Sequence, residues 1–70
     1  MRKSDFRKEC DFIRETVREY RKDSYWTENN LLAWLMRYVS DTEADRKSGV
    51  NRVWTGRQLN RLIHIIWEEL

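Results

Sequence analysis

The chain has 70 residues, a formal net charge of +2, one cysteine and one histidine. A single cysteine excludes a disulfide within the chain, and one Cys with one His cannot supply the four ligands of a structural zinc site. We therefore interpret residues 1–70 as a single helical domain that needs dense aromatic packing or self-association for its stability.

The N-terminal residues, Met1-Arg2-Lys3-Ser4-Asp5, lack the apolar stretch of a signal peptide. The longest apolar run, residues 31–36, is too short to span a membrane. An unpaired thiol is typical of a reducing compartment. We therefore expect a cytoplasmic protein with no membrane segment, no bound metal and no cofactor.

The first predicted helix runs from about Asp5 to Lys22, with Ser4 as its N-cap. Its apolar residues are spaced four, three, four and three apart, which is typical of a narrow heptad seam. Phe12 lies off this seam among charged residues. The cysteine on the seam is interpreted as a packed thiol, because no neighbour in sequence would lower its pKa. The seam consists of Phe6, Cys10, Ile13, Val17 and Tyr20.

A Trp-Thr pair occurs twice, at residues 26–27 and 54–55, and each time a leucine follows the threonine by four positions. A threonine N-cap with apolar residues at N′ and N4 is the pattern of a hydrophobic staple. The pattern predicts two further helices, which begin at about residues 28 and 56. Gln58 completes a capping box at the start of the last helix.

The second predicted helix is apolar around more than half of its circumference, so we expect it to be the central element of the fold. The segment from Ser40 to Val53 leaves two alternatives open, an extension of this helix or a separate short helix. Residues 40–43 resemble a capping box, and Gly49 is suited to end a helix. The apolar residues of the second helix are Leu31, Leu32, Trp34, Leu35, Met36, Tyr38 and Val39.

The third predicted helix runs from Gly56 to Leu70, and Ile65 is expected to point away from its buried face. The short connection at residues 23–26 makes the first two helices antiparallel neighbours. The predicted fold is all-α, a small three-helix bundle (up-down-up), with a short fourth helix between the second and third as the open alternative. The residues expected to face the core are Leu59, Leu62, Ile63, Ile66, Trp67 and Leu70.

Acidic residues at the end of the third helix oppose the helix macrodipole unless cations lie nearby. In an up-down-up bundle, Glu68 and Glu69 would lie beside Arg18, Arg21 and Lys22 of the first helix. The charge pattern therefore favours a third helix parallel to the first.

A basic face is predicted at the other end of the bundle and along the third helix, since residues 46–64 carry five Arg and Lys and no acid. Arginine and asparagine side chains can read base edges in DNA. The Trp-Thr pairs and the sequence TGRQ at residues 55–58 resemble Myb-type DNA-binding repeats, although the regularly spaced middle tryptophan is absent. The candidate nucleic-acid-binding residues are Arg46, Lys47, Arg52, Arg57, Asn60, Arg61 and His64.

Catalysis is not expected, because no Ser or Cys has a spacing that would let His64 act as its base. The leading hypothesis is a non-enzymatic interaction protein, a stoichiometric regulator or inhibitor that binds a larger protein or complex, alone or as a homodimer. Phe12, Ile65 and Arg61 are its candidate contact residues, and replacing Phe12 or Ile65 with Asp is expected to abolish association without unfolding. The alternative is a protein that binds DNA or RNA through the basic face. The biological setting, for example a phage-encoded inhibitor, stays open.

Overall fold

Three α helices make up most of the described chain, residues 2–45 and 54–70 of a computed structural model. Helix α1 is Lys3–Tyr20, α2 is Glu28–Asp45 and α3 is Gly56–Glu69, and the described ranges contain no strand. The predicted all-α three-helix bundle is therefore confirmed. Helix α1 begins two residues earlier than expected, with Arg2 at the N-cap, so the assignment of Ser4 as the N-cap is wrong.

Helices α2 and α3 begin where the two Trp-Thr pairs predict. The Thr55 hydroxyl accepts a hydrogen bond from the Gln58 N–H at 3.1 Å, and the Gln58 side chain accepts one from the Thr55 N–H at 2.9 Å. This capping box satisfies backbone donors that the first turn of α3 leaves open. At α2, the Thr27 carbonyl accepts the Leu31 N–H at 2.9 Å, which is the first hydrogen bond of that helix.

The segment after Ser40 extends α2 as far as Asp45, so the capping-box pattern at residues 40–43 lies inside a helix and does not start a new one. The Thr42 hydroxyl donates to the Val39 carbonyl at 2.9 Å, which is how a threonine inside a helix commonly satisfies its own side chain. Residues 46–53, including Gly49, lie outside the described part of the chain.

The C-terminal end of α3 lies against α1, as the macrodipole argument predicts. Arg18 holds the Glu69 carboxylate through two hydrogen bonds of 2.9 and 3.1 Å. Arg14 lies 3.3 Å from the same carboxylate, and Arg21 donates to the Glu69 carbonyl. Lys22 is also expected here, but it pairs instead with Glu19, three residues earlier in the chain, at 3.1 Å. Helices α1 and α3 are therefore parallel, and α2, which connects them in the chain, is antiparallel to both.

The Glu69 carboxylate should make the stability of the bundle depend on pH. Hydrogen bonding to Arg18 lowers the pKa of the Glu69 carboxyl below its usual value. A carboxyl whose pKa is lower in the folded state stabilises the fold above its unfolded pKa, and this contribution is lost as the pH falls through the folded value.

We therefore expect Glu69→Gln to lower the melting temperature by a few degrees at pH 7. The difference in melting temperature between this variant and wild type should shrink as the pH approaches 3, because the wild-type carboxyl is then protonated. Thermal melts followed by circular dichroism between pH 7 and pH 3 measure this. A variant that melts at the wild-type temperature at pH 7 would contradict the assignment.

Helix α3, not α2, is the element that packs closely against both others, so the prediction of a central second helix is wrong. The backbones of α1 and α2 approach each other less closely than either approaches α3. Large side chains fill the wider space between them, as described below. The fully or nearly fully buried apolar residues are Ile13, Val17, Leu31, Leu35, Trp54, Leu62, Ile65 and Ile66.

The buried face of α3 is rotated relative to the prediction. Ile65 is 0% exposed, so the expectation that it points outward is wrong. Trp67 and Leu70, expected in the core, are 49% and 53% exposed. The reason is that α3 packs against α1 as well as α2. Ile65 lies one turn before Glu69, which contacts Arg14 and Arg18 of α1, so its side chain is on the side that α1 covers. Trp67 lies at the edge of the side that faces α2, where its indole N–H donates to Glu28 at 2.8 Å.

Trp54 connects the start of α3 to the other two helices. Its indole is nearly buried, and its Nε1–H donates to the Thr42 hydroxyl at 2.7 Å. Its backbone N–H donates to Glu43 at 3.1 Å, and its ring meets the edge of Phe6 with centroids 6.4 Å apart. Thr42 is itself only 5% exposed, so this buried hydroxyl is satisfied in both of its roles, as donor and acceptor.

Candidate functional site

Six aromatic side chains form an unbroken series of ring contacts along the α1/α2 side of the bundle, and we call this series the aromatic ladder. Helix α1, α2 and the connection between them each contribute two rings. All six rings keep some solvent exposure. The ladder consists of Phe12, Tyr20, Tyr25, Trp26, Trp34 and Tyr38.

The half of the ladder nearer the middle of the helices is built around Trp34. Its ring stacks on Tyr38 with centroids 5.7 Å apart and an interplanar angle of 20°. Tyr38 in turn meets Phe12 at 5.5 Å, and Tyr20 meets Trp34 edge-on at 5.8 Å. These distances lie in the range of favourable aromatic pairs.

The other half of the ladder lies at the α1–α2 connection. Trp26 stacks on Tyr20 with centroids 4.2 Å apart and an interplanar angle of 14°. Tyr25 meets Trp26 edge-on at 5.4 Å. The Asn30 amide donates to the Tyr25 carbonyl, which ties the connection to the first turn of α2. The aromatic rings thus bridge two helices whose backbones approach each other less closely than either approaches α3.

Trp34 separates two shallow depressions of opposite charge. The first has a volume of about 440 Å³, and we call it the acid-rimmed depression because two glutamates line it. It is lined by Phe12, Glu15, Thr16, Glu19, Tyr20, Trp34 and Tyr38.

The second depression has a volume of about 340 Å³ and carries a single charged residue, an arginine. We call it the Arg37 depression. It is lined by Tyr25, Trp26, Asn30, Ala33, Trp34 and Arg37.

Of the three predicted protein-contact residues, the structure places Phe12 on this surface. Phe12 is 46% exposed and forms one end of the ladder, so the expectation that it faces outward is confirmed. Ile65 is fully buried and cannot meet a partner in this fold. Arg61 lies on α3, outside the ladder, and pairs with Glu68 at 3.0 Å. The predicted set is therefore not a single surface.

The predicted nucleic-acid-binding residues are placed only in part. Arg57, Asn60 and His64 are exposed on α3 together with Arg61. An acid is interspersed among them, since Glu68 holds Arg61, and the His64 ring packs edge-on against Trp67 at 5.2 Å. Arg46, Lys47 and Arg52 lie outside the described residues.

Cys10 packs against the core, as the heptad seam predicts. Partial burial raises the pKa of its thiol, an effect that the charges of Arg61 and Arg14 oppose. Because the net shift is upward, the thiol is protonated at neutral pH and is not an activated nucleophile.

The apolar pattern of α2 predicts Trp34 and Tyr38 in the core of a central helix, and the sequence predicts no surface at the five rings of the ladder other than Phe12. The sequence did contain a signal for them. Helix α2 is apolar around more than half of its circumference, and its aromatic residues at positions 34 and 38 share one face. Met36, on the outer side of the same helix, is 65% exposed.

In comparisons with known proteins, no family model, no curated protein and no solved structure matches the chain. Within residues 2–45 and 54–70, no helix is long and apolar enough to cross a membrane. The described residues also contain no cluster of three or more His, Cys, Asp or Glu side chains arranged to hold a metal ion.

Proposed function

We propose that the protein is a non-enzymatic interaction protein that binds a larger protein or complex through the aromatic ladder, as a stoichiometric regulator or inhibitor. The observation that carries this proposal is the continuity of six partly exposed rings on one side of a small bundle. Isolated apolar residues on a protein surface need no explanation, but contiguous apolar patches mark interaction sites. Tyr, Trp and Phe are also enriched at the centres of protein interfaces.

The ring contacts also prepare the surface for binding. Each ring is held by one or two others, and Tyr38 is further fixed because its hydroxyl donates to Glu9. Side chains already ordered in the free protein lose less conformational entropy when a partner covers them. The ladder is therefore suited to bind without rearrangement of the bundle.

Replacing Phe12 with Asp should abolish association while leaving the bundle folded. Phe12 is 46% exposed, so a carboxylate there is solvated in the free protein but meets apolar surface in a complex. We expect the affinity for the partner to fall by roughly 30-fold or more, as for an interface hot spot. Affinity capture from a nuclease-treated lysate, followed by titration with the identified partner, measures the effect.

Met36→Asp is the matched control for this experiment. Met36 is an apolar residue that is 65% exposed and lines neither depression, so the same charge there should leave association unchanged. Sedimentation of each variant shows whether the ladder instead mediates a homodimer. Equal binding by wild type and the Phe12 variant would eliminate the ladder as the contact surface.

Nucleic-acid binding is the second candidate, supported by the exposure of Arg57, Asn60 and His64 along α3. The same capture experiment separates the two. For this purpose the capture is done both with and without nuclease. A partner that is captured only without nuclease, and that Phe12→Asp captures as well as wild type does, would favour this candidate. Its affinity for duplex DNA should then fall steeply with salt, with a slope of about −0.9 per phosphate contact.

A further inference from the structure

We infer that the acid-rimmed depression receives an arginine or lysine side chain of the protein partner. This inference rests on the proposed function, because it assigns the chemistry of what the ladder binds. Four aromatic rings and two carboxylates line the depression. Among the residues that the structure describes, no Lys or Arg lines it, although the chain has 14 of them.

The polar atoms of the depression can accept hydrogen bonds from a cation. Glu15 and Glu19 lie one helical turn apart on α1, and both are exposed. Between them, the Thr16 hydroxyl uses its proton to donate to the Phe12 carbonyl at 2.8 Å, so its oxygen is left as an acceptor. A group that brings donors and positive charge therefore complements this lining.

The aromatic rings favour a cation for a separate reason. The faces of Trp, Tyr and Phe rings carry negative electrostatic potential and attract ammonium and guanidinium groups. Here Trp34 and Tyr38 are stacked nearly parallel, beside two carboxylates. Arginine suits such a site better than lysine, because its planar guanidinium stacks on rings and bonds a carboxylate with two N–H groups.

Other occupants fit the depression less well. An acidic side chain would be repelled by both glutamates, and an aliphatic one would desolvate them without supplying hydrogen bonds. Lys22 lies 3.1 Å from Glu19, but both side chains are more than 70% exposed. Exposed pairs of this kind are weak, so a cation from the partner can displace this contact.

The inference can be tested by nuclear magnetic resonance with four small probes, the N-acetyl amides of arginine, lysine, norleucine and glutamate. The indole N–H signal of Trp34 reports occupancy, and that of the buried Trp54 serves as an internal reference. We expect the arginine amide to bind roughly five- to tenfold more tightly than the norleucine amide. The lysine amide should fall between them, and the glutamate amide should bind most weakly.

The variant Glu15→Gln with Glu19→Gln keeps the shape of the depression and removes its charge. We expect its preference for the arginine amide over the norleucine amide to fall to the smaller preference that the rings alone supply. Asp5→Asn with Asp11→Asn changes the net charge by the same amount at exposed positions of α1 outside the depression, and should behave like wild type. Unchanged circular dichroism melts for both double variants establish that they remain folded.

Three results would overturn the inference. The first is equal affinity of the wild-type protein for the arginine and norleucine amides. The second is an undiminished preference for arginine in the double glutamine variant. The third is a wild-type protein that sediments as a dimer while the double glutamine variant sediments as a monomer. The first two leave the ladder as an apolar docking surface, so the proposed function survives them. The third makes a second copy of the chain the occupant. Failure of the proposed function itself is recognised separately, by partner binding that neither Phe12→Asp nor Phe12→Lys weakens, since the two variants carry opposite charges at the same exposed position.

Discussion

Replacing Ile65 with Asp should unfold the protein, and this is the largest effect that we expect from any single substitution. Ile65 is 0% exposed and belongs to the buried cluster of eight residues that includes Ile13 and Leu62. A carboxylate buried there without a partner costs several kcal/mol, and a domain of this size has only about 5 kcal/mol of stability to lose. Far-UV circular dichroism at 25 °C should show loss of the helical signal.

Ile65→Val is the control for this prediction, because it removes one methylene without adding a charge. We expect it to stay folded and to lose about 0.5–1.5 kcal/mol in urea denaturation. An Ile65→Asp variant that keeps wild-type helicity and melts cooperatively would contradict the assignment of Ile65 to the core. The result also affects how association is tested, since loss of binding in an unfolded variant says nothing about a contact surface.

Replacing Trp54 with Ala should have the second-largest effect, about 3–5 kcal/mol of lost stability. The substitution removes a nearly buried indole, its edge contact with Phe6 and its hydrogen bond to Thr42. Urea denaturation measures the loss directly, and the transition should move to much lower urea with its cooperativity retained.

A double-mutant cycle isolates the hydrogen bond within this larger effect. Thr42→Val leaves the indole N–H buried without an acceptor, which should cost about 1–3 kcal/mol. Trp54→Phe removes the N–H and keeps an aromatic ring. If the 2.7 Å contact between the indole and the hydroxyl is a hydrogen bond, the double variant is more stable than the sum of the two single losses predicts. Additive losses would mean that the two side chains contribute independently.

The features that the sequence predicts well are those decided by neighbours in the chain or by charge. The starts of α2 and α3 follow from threonine N-caps, and a cap involves only the first turn of its own helix. The position of Glu69 against Arg18 follows from the macrodipole and from the alternation of helix direction. Both arguments need no knowledge of how far apart the helices lie.

The errors arise where that distance matters. Helical periodicity identifies an apolar stripe on α3, but it does not show how the stripe divides between two neighbours. Because α3 packs closely on both α1 and α2, its buried arc is rotated relative to the predicted one, so that it includes Ile65 and leaves Trp67 at its edge.

The candidate surface was predicted only at Phe12 for a related reason. The excess of apolar residues on α2 predicts a central position in the bundle, where both neighbouring helices would bury them. In the structure α1 and α2 lie less close to each other than either lies to α3, and Trp34 and Tyr38 contact rings of α1 without being fully covered. Ring-to-ring contacts between helices depend on this spacing, which a single sequence does not contain.

The buried cluster and the ladder consist of different residues, and this separation bears on how the binding specificity of the protein could change. The ladder shares no residue with the buried cluster, although several of its rings rest on that cluster. Under the proposed function, substitutions at the two exposed rings, Phe12 and Tyr25, can therefore alter which partners are recognised while the buried cluster stays intact. Such a scaffold can acquire new specificities by single substitutions at these two positions, which do not pack against the buried cluster.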